Sequence, residues 1–225
     1  MTGAAVPVRD AVASVRARIA AAARRAGRDP SAVTLVAATK TVPPERVAEV
    51  IAAGVPDVGE NRAQELLAKR HVEGARWHFL GRLQRNKVAA LAPWVYCWQS
   101  VDRDPLAAEI ARRAPGAIVL VEVNVAAEAQ KGGCAPADTA RLVDGCRSLG
   151  LTVAGLMTVP PAGDDPRRWF ASLRELARHV GVRELSMGMT DDYEIAVEEG
   201  ATMVRVGRAL FGARPPVPSA ADERR

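Results

Sequence analysis

Val33-Thr34-Leu35-Val36-Ala37-Ala38-Thr39-Lys40-Thr41-Val42-Pro43-Pro44 carries the pattern on which the fold turns. Its first part is a near-continuous apolar run, the mark of a strand buried on both faces. Lys40 ends the run, and Pro43-Pro44 stops the strand just after it. Burying an ammonium is costly unless it is paired or chemically used. Taken alone, a strand-end lysine reads as one that snorkels to solvent along its aliphatic stem. The surroundings of Lys40 change that balance.

Working outward, apolar strand-like runs recur at 33–39, 56–59, 77–80, 94–100, 117–125, 151–158, 183–187 and 202–206. Amphipathic helical patterns lie between them. Val47, Val50 and Ile51 make one face; Ala63, Leu66 and Leu67 another; Leu106, Ile110 and Ala111 a third; Phe170, Leu173, Leu176, Ala177 and Val180 the cleanest. Asn61 is expected to cap the helix after the second strand with Gln64 reaching back, and Asp191 with Glu194 is expected to do the same later in the chain. Gly200 then sits where a helix end wants a left-handed residue. Eight strand–helix units with short connections predict an α/β protein, a parallel sheet closed into a (β/α)8 TIM barrel. Val8, Val12, Val15 and Ile19 recur at helical spacing and predict an extra N-terminal helix packed on the domain, in preference to a transit peptide. At 225 residues there is little room for more, so one domain over 1–213 is expected, with a disordered Pro-rich tail over 214–225.

Composition agrees with a folded, soluble chain: 48% of residues are hydrophobic and 25% charged, which excludes an intrinsically disordered protein. Aromatics make up only 4%, so Ala, Val and Leu must fill the core. Cys97, Cys134 and Cys146 are odd in number and lack metal-ligand spacing, which predicts a reducing compartment, a cytoplasmic location and no disulfide framework. His71, His78 and His179 form no Cys/His cluster, so no metal site is expected. The net charge of +5 comes from arginines spread along helices, weak grounds for a nucleic-acid partner. No run approaches 18 uncharged apolar residues, so no membrane span is expected.

A barrel does its chemistry at the C-terminal ends of its strands. Lys40, Glu60-Asn61 and His78 fall there, followed by Glu122 and Asn124, Ser186-Met187-Gly188 and Arg205-Val206-Gly207-Arg208. Loops after the seventh and eighth strands often bind phosphate through backbone amides. A phosphate there and a lysine from the first unit together suggest a phosphorylated aldehyde held by Lys40 as a Schiff base. Pyridoxal 5′-phosphate (PLP) fits that description, and so does a sugar phosphate on an aldolase-type lysine. Chemistry alone leaves the two open.

Six segments occur in order: Ala38-Thr39-Lys40-Thr41-Val42-Pro43, Val58-Gly59-Glu60-Asn61, Trp77-His78-Phe79-Leu80-Gly81-Arg82-Leu83-Gln84-Arg85-Asn86-Lys87, Gly155-Leu156-Met157-Thr158, Leu185-Ser186-Met187-Gly188-Met189, and Val204-Arg205-Val206-Gly207-Arg208-Ala209-Leu210-Phe211-Gly212. Together they resemble the pyridoxal phosphate homeostasis protein family, single-domain relatives of the alanine racemase N-terminal barrel. The resemblance implies that PLP is the cofactor and that Lys40 carries it as an internal aldimine. Ser186, beside Met187, and the backbone amides of Gly207 and Arg208 would hold the phosphate. Arg205 would face the pyridine nitrogen, and Asn61, His78 and Met157 would line the site. Arg82, Arg85 and Arg208 depart from the smaller residues of the pattern, and Glu122 with 126–134 matches it loosely. The implied function is PLP homeostasis by buffering or delivery, without catalytic residues, with apo PLP-dependent enzymes as partners and a monomeric chain. The alternative is a racemase-like PLP enzyme of weak activity. Stereoinversion needs a second base opposite the lysine, and Tyr96 and Tyr193, the chain's two tyrosines, stand in no matching motif.

Overall fold

The computed structural model describes residues 6–128 and 130–212. The expected tail over 214–225 lies outside them. The chain opens with α1 (Val8–Arg25). Val8, Val12, Val15 and Ile19, with Ala11, Ala22 and Ala23, form the buried stripe that their spacing requires.

Alternating strands and helices follow: β1 (Thr34–Ala38), α2 (Pro44–Ala52), β2 (Asp57–Glu60), α3 (Ala63–Lys69), β3 (Arg76–Phe79), α4 (Arg85–Leu91), β4 (Val95–Val101) and α5 (Asp104–Arg113). The second half comprises β5 (Ile118–Glu122), α6 (Thr139–Ser148), β6 (Thr152–Met157), α7 (Pro166–Val180), β7 (Glu184–Ser186), α8 (Tyr193–Glu198), β8 (Met203–Val206) and the short α9 (Arg208–Phe211). The strands pair in sequence order and the sheet closes, with Thr34, Leu35, Val36 and Ala37 of β1 in parallel register with Met203, Val204, Arg205 and Val206 of β8. The (β/α)8 barrel and its N-terminal helix are therefore both present.

Most apolar side chains fill the layer between sheet and helices. A separate buried cluster of Cys97, Leu120 and Met157 packs with Ile118, Ala154 and Met203, all strand residues. Gly155 lets two strands close up, because a Cβ there would lie 1.9 Å from the Glu184 carbonyl oxygen.

Both expected capping boxes are corrected. The residue before α3 is Arg62, whose side chain makes no cap bond, and Asn61 stands one position too early. The residue before α8 is Asp192, which caps no α8 amide and accepts at 2.6 Å from the Met189 amide instead. Asp191 pairs with Arg208 and Glu194 with Arg18. At the second place the loop over the barrel mouth takes the aspartates that the helix start would have used, Asp192 through the Met189 amide and Asp191 through Arg208. Gly200, at φ +108°, does end α8 as expected.

Candidate functional site

β1 delivers Lys40 to the barrel mouth, two residues past the last strand residue. There it borders two adjoining cavities of about 440 and 340 Å³, which share Ala38, Lys40, Gly207 and Arg208. The larger is also lined by Asn61, Thr190, Asp191 and Arg205 among the polar residues, and by Leu80, Val159 and Met189. Its size lies within the range of small-molecule sites, about 300–1,000 Å³. Lys40, Arg205, Thr190 and the start of α9, where the Gly207 and Arg208 amides lie, border one space. Those amides have no preceding helical turn to serve. The donor set suits a phosphorylated aromatic aldehyde.

Arg205 is buried, and burial brings its guanidinium down to about 10 against the raising influence of Glu122 and Asp192. It remains a cation at neutral pH. Its Nη2 donates to the Thr158 carbonyl at 2.8 Å and its Nη1 to Ser186 Oγ at 2.6 Å. Because arginine can only donate, the directions of the next bonds are fixed. Ser186 Oγ donates to Gln99 Oε1 at 2.6 Å, and Gln99 Nε2 donates to His78 Nδ1 at 2.7 Å. His78 Nε2 then donates to Asp57 Oδ1 at 2.9 Å. Gln99 on β4 and Ser186 on β7 are not on neighbouring strands, so this chain of bonds crosses the barrel interior. Burial pushes the Asp57 carboxyl up, but hydrogen bonds from His78 and Arg76 outweigh it and hold the group low.

The expected site residues divide between the cavity lining and the buried network and core beside it. Lys40, Asn61, Arg205, Gly207 and Arg208 line the cavity. Ser186 does not: it is fully buried and its hydroxyl is committed at both ends to Gln99 and Arg205. His78 lies below it in the same chain of bonds, Met157 belongs to the small buried cluster, and Met187 packs in the main core. The hydroxyl-bearing residue that lines the larger cavity is Thr190, past the strand end and after Gly188 at φ +91°. The signal was in the position: Ser186 is the last residue of β7, on the inward phase of the strand's alternation, whereas Thr190 follows four residues later in the loop at the mouth. The departure at Arg208 is accommodated because its guanidinium pairs with Asp191 at the rim.

Glu122 ends β5 near Arg205. Burial pushes its carboxyl from 4.5 to about 7; Asp102 adds to the rise, and Arg205 and Arg82 oppose it. Sequence reading also missed a buried pair beneath Lys40, Glu60 with Lys69 at 2.7 Å. Among the described residues no group of three or more His, Cys, Asp or Glu side chains is placed to hold a metal, and no helix is long and apolar enough to cross a membrane. Neither tyrosine lines the cavity: Tyr193 is buried in the main core, and Tyr96 stands early in β4, toward the opposite end of the barrel.

The alanine racemase N-terminal domain model matches residues 11–215. The pyridoxal phosphate homeostasis protein of Pseudomonas aeruginosa is 44% identical over 217 residues, covering 90% of this chain and 94% of that one. The protein of the same name from Escherichia coli is 37% identical over 222 residues, covering 90% and 95%. Among solved structures, PipY of Synechococcus elongatus with PLP bound superimposes with a TM-score of 0.80 at 31% identity, covering 91% of this chain and 100% of that one. Alanine racemase from Corynebacterium glutamicum, 15% identical with a TM-score of 0.66, shares the fold over 93% of this chain and 62% of its own length. With a family model matching nearly the whole chain and relatives alike along almost their full length, this chain belongs to the alanine racemase N-terminal domain family, among the pyridoxal phosphate homeostasis proteins.

Proposed function

We propose that this chain binds PLP in the mouth cavity and serves its homeostasis in the cytoplasm, holding the cofactor and releasing it to apo-enzymes. The observation that carries this reading is that Lys40, Arg205, Thr190 and the Gly207-Arg208 start of α9 all line one cavity of about 440 Å³. The PLP-bound state of the similar PipY supports it. Lys40 Nζ adds to the aldehyde and water leaves, so the cofactor is retained through a C=N bond. Thr190 and the amides of Gly207 and Arg208 take the phosphate in this reading, and Ser186 acts behind them by orienting Arg205. Bound PLP supplies an electron-withdrawing ring. Arg205 set against the ring nitrogen disfavours its protonation and weakens it as an electron sink.

A carrier is favoured over a racemase because no tyrosine stands across the cavity from Lys40 as a second base. The carrier is taken as one domain over 1–213, monomeric, with 214–225 as a tail.

The test begins with borohydride reduction after incubation with PLP, followed by peptide mass mapping. The adduct is expected on Lys40; one found chiefly on Lys87 or Lys131 overturns the reading. Thr190→Ala should weaken PLP retention about ten- to a hundredfold, the loss of a charge-assisted hydrogen bond. Retention of pyridoxal, which lacks the phosphate, should barely change.

A further inference from the structure

The peptide that bears Lys40 is gripped on both sides by a group of charges with no direct part in holding a phosphate or a ring. On the N-terminal side, Lys69 Nζ donates to the Thr39 carbonyl at 2.8 Å, and Thr39 Oγ1 donates to Glu60 Oε1 at 2.7 Å. On the C-terminal side, the Thr41 amide donates to Glu65 Oε2 at 2.7 Å. Lys69 ties the two grips together, lying 2.7 Å from Glu60 Oε1 and 3.6 Å from Glu65 Oε2. Its side chain is 7% exposed and that of Glu60 is 0% exposed.

Two features make this an expensive way to hold a loop. Glu60 Oε2 is buried with no hydrogen-bond partner among the described residues. A buried ion pair of this kind is seldom retained for stability, because desolvation offsets most of its attraction. Thr41, a β-branched residue, also sits at φ +63°, in the left-handed region. Such a conformation persists where the surroundings over-determine it, and here the bond to Glu65 and a 2.6 Å bond from Thr41 Oγ1 to the Lys40 carbonyl do so. One cost falls on Thr41, next to Lys40, and the other on the buried pair that holds Thr39.

We propose that Glu65, with the buried Lys69–Glu60 pair, is a positioning clamp for Lys40. It fixes the peptide on either side so that the amine is presented to the cavity in one orientation. The proposal rests on the reading of Lys40 as the residue that takes the aldehyde. Glu65 and Lys69 stand four apart on α3, so one helix face reaches both sides of the lysine. These are positioning residues: they act through the Lys40 backbone, before any phosphate contact is made.

Glu65→Ala and Glu65→Gln provide the test, since the Glu65 side chain is 22% exposed and its loss leaves no buried charge stranded. The carboxamide oxygen of Gln still accepts from the Thr41 amide; alanine cannot. In the cofactor-free protein, hydrogen exchange at the Thr41 amide should rise about tenfold in Glu65→Ala and stay close to wild type in Glu65→Gln. The rate at which borohydride traps PLP on Lys40 should fall about tenfold in the alanine variant and recover in the glutamine variant. Pyridoxal should be slowed by the same factor, because the clamp acts on the lysine and not on the phosphate. Thr41→Gly relieves the backbone strain, so it should fold at least as well as wild type and still be trapped more slowly. Lys40 trapping at the wild-type rate in Glu65→Ala and Thr41→Gly overturns the clamp while leaving the Lys40 reading intact. Equal losses in Glu65→Ala and Glu65→Gln overturn it too, assigning the effect to charge. An adduct away from Lys40 in the wild-type protein removes the reading of the site and the clamp together.

Discussion

Glu122 is the side chain whose titration the fold changes most usefully. The folded protein lifts its carboxyl from 4.5 to about 7, first by burial and then by the charge of Asp102. Between those values the native state keeps a proton that the unfolded chain has released. Stability therefore falls as pH rises through the window, by about 3 kcal/mol if the whole shift is realised. Glu122→Gln should flatten this slope and be the more stable form at pH 8. Urea denaturation midpoints between pH 4.5 and 8 measure it, and parallel slopes for variant and wild type would show that Glu122 is not the group responsible. Ser186 gives the matching lesson in hydrogen bonding. Its position in the motif was legible, but its commitment to Gln99 and Arg205 depends on β4, which stands across the barrel from it.

At the scale of elements, helix ends and helix middles give glycine opposite values. Gly181 closes α7 at φ +65°, where its amide reaches back to the Arg178 carbonyl. Gly181→Ala forces a side chain into the left-handed region and should cost about 1 kcal/mol. Gly145 lies inside α6, and a Cβ there would meet only Asp104 Oδ1, at 3.4 Å. Gly145→Ala should stabilise by about 0.5–1 kcal/mol. Chemical denaturation of the two variants checks both signs. A stabilising change at 181 would mean that α7 can end in another way. The periodic faces of α2, α5 and α7 were visible in the sequence for the same reason that these values can be argued, since each follows from local geometry. The caps expected at Asn61 and Asp191 do not form because each residue stands one position before the cap position of its helix, a boundary that tertiary contacts set.

For the whole molecule, α1 acts as a strap on the barrel. Its apolar stripe is buried, while Arg18 and Arg25 pair with Glu194 and Glu198 on α8. Arg28 donates at 2.5 Å to the Val197 carbonyl and at 2.9 Å to that of Ala201, just before β8. Burial should dominate over the exposed ion pairs. Ile19→Ala is expected to cost about 2–4 kcal/mol and Arg18→Ala less than about 1 kcal/mol, read from urea unfolding. The reverse order would make α1 an electrostatic strap and not a hydrophobic one.

The sequence by itself determined the architecture, the N-terminal helix and the place of Lys40, because hydrophobic period and strand-end position are local properties repeated along the chain. Its ordered motifs also pointed to the family to which the chain belongs. Only the tertiary structure decided which polar groups share the mouth with Lys40. It put Thr190 on the cavity and Ser186 behind it, and it set Glu60, Glu65 and Lys69 against the residues flanking the lysine. The physical reason is that hydrogen-bond partners are assigned across a closed barrel by strands far apart in sequence, and burial makes each assignment exclusive. A side chain's identity is written in the chain, whereas its remaining bonding capacity is settled by what packs around it.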